Sequence, residues 1–206
     1  MKKLIPIVFV IFALLLTACT GPYKGRESEV EEILRPLMEK EVALLRYLYG
    51  DGFKTMDEVS AEDANYTTTA KYYRVSEESP YHSVDELKAA IREVYTEDRA
   101  GEIESGLFEN TGAFSRFNDY NILNVAGEVV GTDLGIDVTQ NHPAMALTAE
   151  VRLSTVKVTR STETIIECEI DYTDGRGGSV ETMRITLISE KGEWKMDDSS
   201  WAGSVA

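Results

Sequence analysis

Cys19 closes the tetrad Leu16-Thr17-Ala18-Cys19, and its surroundings assign it a chemistry. Lys2 and Lys3 precede an apolar run from Leu4 to Leu16. That run falls short of the ~20 residues a spanning helix needs, and small residues follow where a secretory peptidase would cut. Charge, short apolar run and box together form the pattern of a bacterial lipoprotein signal. They predict cleavage before Cys19 and a lipidated N-terminus on an exported protein. The plainer alternative, an ordinary thiol behind an ordinary export leader, leaves the box unused. The only other cysteine, Cys168, then has no partner within the chain, so no intrachain disulfide is expected. It alternates with Ile166 and Ile170 on one face of an extended run, which predicts a buried, inert thiol and not a nucleophile.

The remaining residues with catalytic potential are poorly arranged for it. The two histidines, His82 and His142, belong to no metal-binding pair, one preceding a helix and the other beside Pro143. Ser154-Thr155-Val156-Lys157 fits the S-x-x-K pattern of penicillin-binding enzymes, but it lies in a β-branched run without the S-D-N and K-T-G elements that chemistry requires. The acidic clusters Asp197-Asp198, Asp171 with Asp174, and Asp133 with Asp137 lack the alternating ligands of a calcium loop and read as solvated turns. A glycosidase-type reading would require two such carboxyls to converge across a groove. No motif asks for a cofactor or a metal.

The elements that must position these residues follow from periodicity. A tether spans residues 19–27, its Gly21, Pro22 and Gly25 suggesting flexibility. A domain covers residues 28–206, as one unit or as a mainly helical lobe (28–106) and a mainly extended lobe (107–206). Ser28 and Glu31 have capping-box spacing, and Val30, Ile33, Leu34, Leu37, Met38, Leu44, Leu45 and Leu48 recur at helical intervals up to Gly50, with Asp51-Gly52 closing the helix and Pro36 expected to interrupt it or to set its first turn apart. A short extended segment is expected over Tyr66, Tyr72, Tyr73 and Val75. A second helix is predicted from the Ser83/Glu86 box, and a third from Thr96 through Ile103, ended by Gly106. Strands are predicted over Asp119–Val125, Ala146–Thr159, Glu163–Tyr172, Val180–Ser189 and Glu193–Asp197, the last three forming a meander through Gly-rich turns. Helices followed by consecutive strands define an α+β fold.

Charge narrows the function further. The chain carries 36 acidic and 21 basic residues, two of the latter in the leader, so the mature part bears 17 net negative charges. That excludes the basic footprint nucleic acid demands, and leaves the N-terminal lipid as the means of holding a membrane. A monomer is expected.

Two segments are familiar. Lys71-Tyr72-Tyr73-Arg74-Val75, then Ser83-Val84-Asp85-Glu86-Leu87 and Val94-Tyr95-Thr96, resembles the start of bacterial DL-endopeptidase inhibitor domains. Gly192-Glu193-Trp194-Lys195-Met196-Asp197-Asp198 resembles the closing strand of those domains and of cystatin-like and NTF2-like lipoproteins. The resemblance implies helices packed on a curved antiparallel sheet, and binding instead of catalysis: occupation of the cleft of a cell-wall hydrolase. A partner loop is then expected over Gly127–Pro143, with Asp133, Asp137 and His142 at the contact. A competing expectation is a small-ligand binder with a pocket between helix and sheet lined by Tyr73, Phe108, Tyr172 and Trp194. A hydrolase working through an acidic pair is the third.

Overall fold

The structure is a computed structural model that describes residues 21–49, 52–58, 72–108, 117–123, 129–136, 150–173 and 179–199. Among the described residues three helices, α1 (Glu27–Leu48), α2 (Val84–Val94) and α3 (Glu97–Phe108), accompany two antiparallel sheets, so the α+β class is observed. The first sheet orders β1 (Thr55–Glu58), β2 (Tyr73–Val75), β4 (Val129–Ile136) and β3 (Phe117–Leu123) in that spatial sequence. The second is the expected meander, extended to four strands: β5 (Glu150–Ser161), β6 (Ile165–Thr173), β7 (Val180–Glu190) and β8 (Glu193–Ser199), each paired with the next.

Helix α1 departs from its sequence reading at its start and in the middle. It starts at Glu27 behind Arg26, with no side-chain cap, so the Ser28/Glu31 box is not used. Arg26 and Glu29 pair one turn apart there instead. Pro36 stays inside the continuous helix because it points to solvent, as does Glu32, whose carbonyl loses its amide partner and can be hydrated. At the far end the Gly52 amide donates to Arg46 O at 3.0 Å, and a Cβ on Gly52 would sit 2.8 Å from that oxygen. The close approach accounts for the glycine.

Helix α2 begins as expected, the Glu86 amide donating to Ser83 Oγ at 3.1 Å. The Glu86 carboxylate reaches back to the His82 amide at 2.6 Å. Thr96 caps α3, but α3 runs past Gly106 to Phe108 because Ala100, Ile103 and Leu107 continue one buried stripe.

Three further corrections concern extended and loop regions. Residues 55–58, without a strand pattern of their own, form β1 by pairing with β2. Residues 129–136, expected within an exposed loop, form β4, paired with β2 on one side and β3 on the other, with Leu134 and Ile136 buried. The segment Gly21–Arg26, expected to be flexible, is folded as two turns against the second sheet.

Side chains from all three helices and both sheets enter one buried cluster, including Leu34, Leu48, Ile91, Phe117, Ile136, Ile166 and Leu187. Each large aliphatic so enclosed contributes ~1.5–3 kcal/mol relative to exposure. In β5 the register slips twice: Arg152 faces Asp171 while Lys157 faces Glu169, and a further residue is inserted between Val158 and Arg160. Thr155 stitches the first slip, its hydroxyl donating to Arg152 O at 2.7 Å and accepting from the Asp171 amide at 2.9 Å.

Candidate functional site

The polar chemistry of the interior converges where α2 hands over to α3. Tyr95 leaves the helix in extended backbone and forms a parallel bridge with Met196 of β8. The Thr96 amide then donates to Met196 O at 2.9 Å. Thr96 Oγ1 accepts from the Arg99 amide as the cap of α3 (3.3 Å) and donates to Asp197 Oδ1 (2.8 Å). One threonine thus starts a helix and clamps it to a strand about a hundred residues away.

Beneath this junction lies Glu41, fully buried on the apolar stripe of α1. Its Oε1 accepts from the Tyr95 hydroxyl at 2.9 Å and from the Ser199 hydroxyl at 2.7 Å. Its Oε2 has no hydrogen-bond partner. Burial raises the Glu41 pKa above the usual carboxyl value, against the opposing pull of Ser199, Tyr95 and the more distant Arg99 guanidinium. The Tyr95 phenol is held well above its ordinary range, first by burial and then by the neighbouring carboxylate. A single carboxyl therefore ties α1, the α2–α3 junction and β8 together, a positioning role.

Above Tyr95 opens a cleft of about 620 Å³ between the helix junction and the β7–β8 turn. Arg92, Lys191 and Lys195 bring positive charge to its walls, and Glu97, Glu190 and Glu193 bring negative charge. Most of these groups are already held in place. Arg92 forks onto Glu104 at 2.7 and 2.8 Å, and both Glu190 oxygens accept from the Glu97 amide at 3.2 Å. Lys195 donates to Glu93 O at 2.9 Å and lies 3.3 Å from Glu193. Such a balanced, pre-ordered lining suits a polar chain bearing both signs of charge.

Two other hollows are smaller. A trough of about 370 Å³ runs between α1 and β5, floored by Met38, Val42, Val151 and Leu153. Another, of about 320 Å³, lies over β6 and β7 beside Cys168, whose thiol is pushed up to about 12 by burial. The expectation that Cys168 is buried is met. Among the described residues no three His, Cys, Asp or Glu side chains are grouped to hold a metal ion.

The four aromatic residues expected to line one pocket are spread over the molecule. Tyr73 sits half-buried in β2, its backbone opposite Ile136. Phe108 ends α3 with its ring 5.8 Å from Phe117 and the Lys88 ammonium 5.5 Å away. Tyr172 donates its hydroxyl to Glu181 at 2.7 Å, at one end of the second sheet. Trp194 lies at the other end, edge-on to Tyr23 at 5.7 Å and packed against the core. None of the four lines any of the three hollows. Asp133 is placed in β4 opposite Tyr120, so it belongs to a central strand and not to a loop. Cys19, Asp137 and His142 lie outside the described residues.

The site residues missed from sequence are Glu41, Tyr95, Thr96 and Ser199. One signal was present for Glu41, a charged residue at the stripe interval between Met38 and Leu45. No protein-family model and no curated protein matches this chain.

Proposed function

We infer that the protein is a lipid-anchored extracytoplasmic binding protein, and that its partner is a cell-wall peptidase cutting between D- and L-configured residues of peptidoglycan stem peptides. One observation supports the reading above the others. The two stretches that resemble DL-endopeptidase inhibitor domains, around Val94–Thr96 and Gly192–Asp198, are joined to each other through the Tyr95–Met196 bridge and the Thr96–Asp197 hydrogen bond. Segments far apart in sequence thus carry the same likeness and build the same junction, as parts of one inherited unit would. The leader and its Cys19 box favour export and anchoring, which would place the domain beside the wall where such a hydrolase works.

The test is a titration of the purified mature chain into a DL-endopeptidase from the same cell envelope, acting on purified peptidoglycan. Loss of turbidity is the readout. Clearing should slow in proportion to added protein and stop near equimolarity. Undiminished clearing at a large molar excess would overturn the inhibitor reading.

A second reading, a small-ligand binder, is favoured by the charged cleft above Tyr95. Short peptides carrying both an ammonium and a carboxylate are the ligands it suits, and isothermal titration with stem-peptide fragments tests it.

A further inference from the structure

Lipidation at Cys19 is carried over from the function proposed above; the question here is how an anchored domain stands on its membrane. Residues Gly21–Arg26 are seated on the second sheet. Gly21 lies so close to the end of β5 that a Cβ there would come within 1.8 Å of Ser161 O. The Tyr23 amide donates to Ser161 Oγ at 3.1 Å, and the Tyr23 ring meets Trp194 edge-on. The Arg26 guanidinium lies 5.6 Å from the same ring. Between them the backbone is closed by Lys24 N–H to Gly21 O (3.1 Å) and Arg26 N–H to Tyr23 O (3.0 Å).

Only Thr20 separates Gly21 from Cys19. Two residues of extended chain reach at most ~7 Å, so an acyl group on Cys19 begins within that distance of a residue fixed to the sheet. Ser161 adjoins the turn at 162–164, and the Ser189 amide donates to Thr164 O at 2.9 Å, which sets the β7–β8 turn at 190–193 alongside. Both turns therefore share the end of the sheet that carries the mount.

We propose that this end of the second sheet rests against the phospholipid headgroups on the outer face of the membrane, with Gly21–Arg26 as a rigid mount that fixes the domain's orientation. Two open ammonium groups mark that end. In a chain of strong negative charge, Lys24 and Lys191 carry no ion pair among the described residues, and Lys191 stands exposed in the turn with φ 55°. Their ammonium groups are open to lipid phosphate. Of the carboxylates at the same end, Glu190 accepts from the Glu97 amide and Glu27 from the Gly25 amide, Glu193 pairs with Lys195 and Glu29 with Arg26, while Glu97 and Glu163 are exposed. The cleft above Tyr95, which includes the β7–β8 turn, then opens near the bilayer, and the far end of β7, where Val180 is exposed, points toward the wall.

The test uses the full lipidated chain in phosphatidylcholine–phosphatidylglycerol vesicles that carry a headgroup-tethered quencher. With Cys19 acylated and Cys168 buried, a single introduced cysteine takes a fluorophore selectively. Labels are placed through Glu163→Cys, Lys191→Cys and, at the opposite end, Val180→Cys. The eleven residues of β7 separate the two ends by about 33 Å. Quenching should be several-fold stronger at 163 and 191 than at 180. Equal quenching at all three positions on chains that float with the vesicles overturns the fixed orientation and leaves the anchor standing. Failure to float overturns both. Gly21→Val, which cannot seat against Ser161, should equalise the three labels without changing flotation; a preserved difference would show that the mount does not set orientation.

Discussion

Replacing Glu41 separates the cost of burying its charge from the value of the hydrogen bonds it accepts. In Glu41→Ala the buried Tyr95 and Ser199 hydroxyls both lose their acceptor. Each orphaned hydroxyl costs ~1–3 kcal/mol, so the pair costs ~2–6 kcal/mol. Relief of the buried carboxyl offsets part of that, and a net loss of ~3 kcal/mol is expected. Glu41→Gln keeps an oxygen at the Oε1 position and both hydrogen bonds, and puts its amide nitrogen where Oε2 already lacks a partner. It should stay within ~1 kcal/mol of the parent at neutral pH.

The pH dependence adds a sign. Burial raises the Glu41 pKa in the folded protein above the ordinary 4.5, so the unfolded chain gives up this proton first. The contribution is fully present below about pH 4.5, is lost as pH rises toward the raised folded value, and is constant above it. Glu41→Gln lacks that loss, so the stability difference between the two proteins should move in favour of the variant from pH 4 upward. Other carboxylates, such as Glu93 lowered by Lys40, titrate alike in both and cancel. Urea unfolding followed by tryptophan fluorescence at several pH values gives the measurement. A Gln variant that loses as much stability as the Ala variant, and whose pH profile stays parallel to the parent's, would mean that Glu41 is ionised in the fold under the field of Arg99.

Thr96→Val should cost ~1–3 kcal/mol through loss of the α3 cap and of the bond to Asp197, and Thr96→Ser should restore most of it in the same unfolding assay. Cys168 should stay silent to a disulfide-exchange reagent in the native protein and react fully in guanidinium, because its thiol is both enclosed and raised to about 12; rapid labelling of the folded chain would contradict the burial. Leu34→Ala, at a fully enclosed position, should lose ~2–5 kcal/mol. Pro36→Ala should instead stabilise the protein by ~1–3 kcal/mol, since the proline occupies an exposed interior turn of α1; a loss on that substitution would show that Pro36 sets the helix direction.

Local pattern made much of the framework legible. The Ser83 box, the α1 stripe and the alternation of Ile166, Cys168 and Ile170 are short-range signals, and each corresponds to an observed element. Strand β4 escaped because Gly131, Thr132, Asp133 and Gly135 have the composition of a turn, and only pairing on both sides makes that segment extended. Strand β1 escaped for a similar reason, four mostly polar residues whose partner is β2. Pro36 and Gly106 are helix breakers on average, but here buried neighbours on the opposite face override their cost. The candidate site was almost invisible beforehand. Glu41, Tyr95 and Ser199 are separated by 54 and 158 positions along the chain from Glu41, and nothing local marks their meeting.

The two register slips in β5 bear on crowding. Among the described residues β5 is an outer strand of its sheet, and an outer strand with a regular ladder is a template on which a second copy can add. Along β5 the spacing of amides and carbonyls is broken after Arg152 and again after Val158, with Thr155 holding the first break open. An incoming straight strand can match only short lengths of that edge. The same irregularity that looks like a defect in the sheet therefore acts against edge-to-edge aggregation, and a variant with the inserted residues removed should be the one that forms fibres at high surface density.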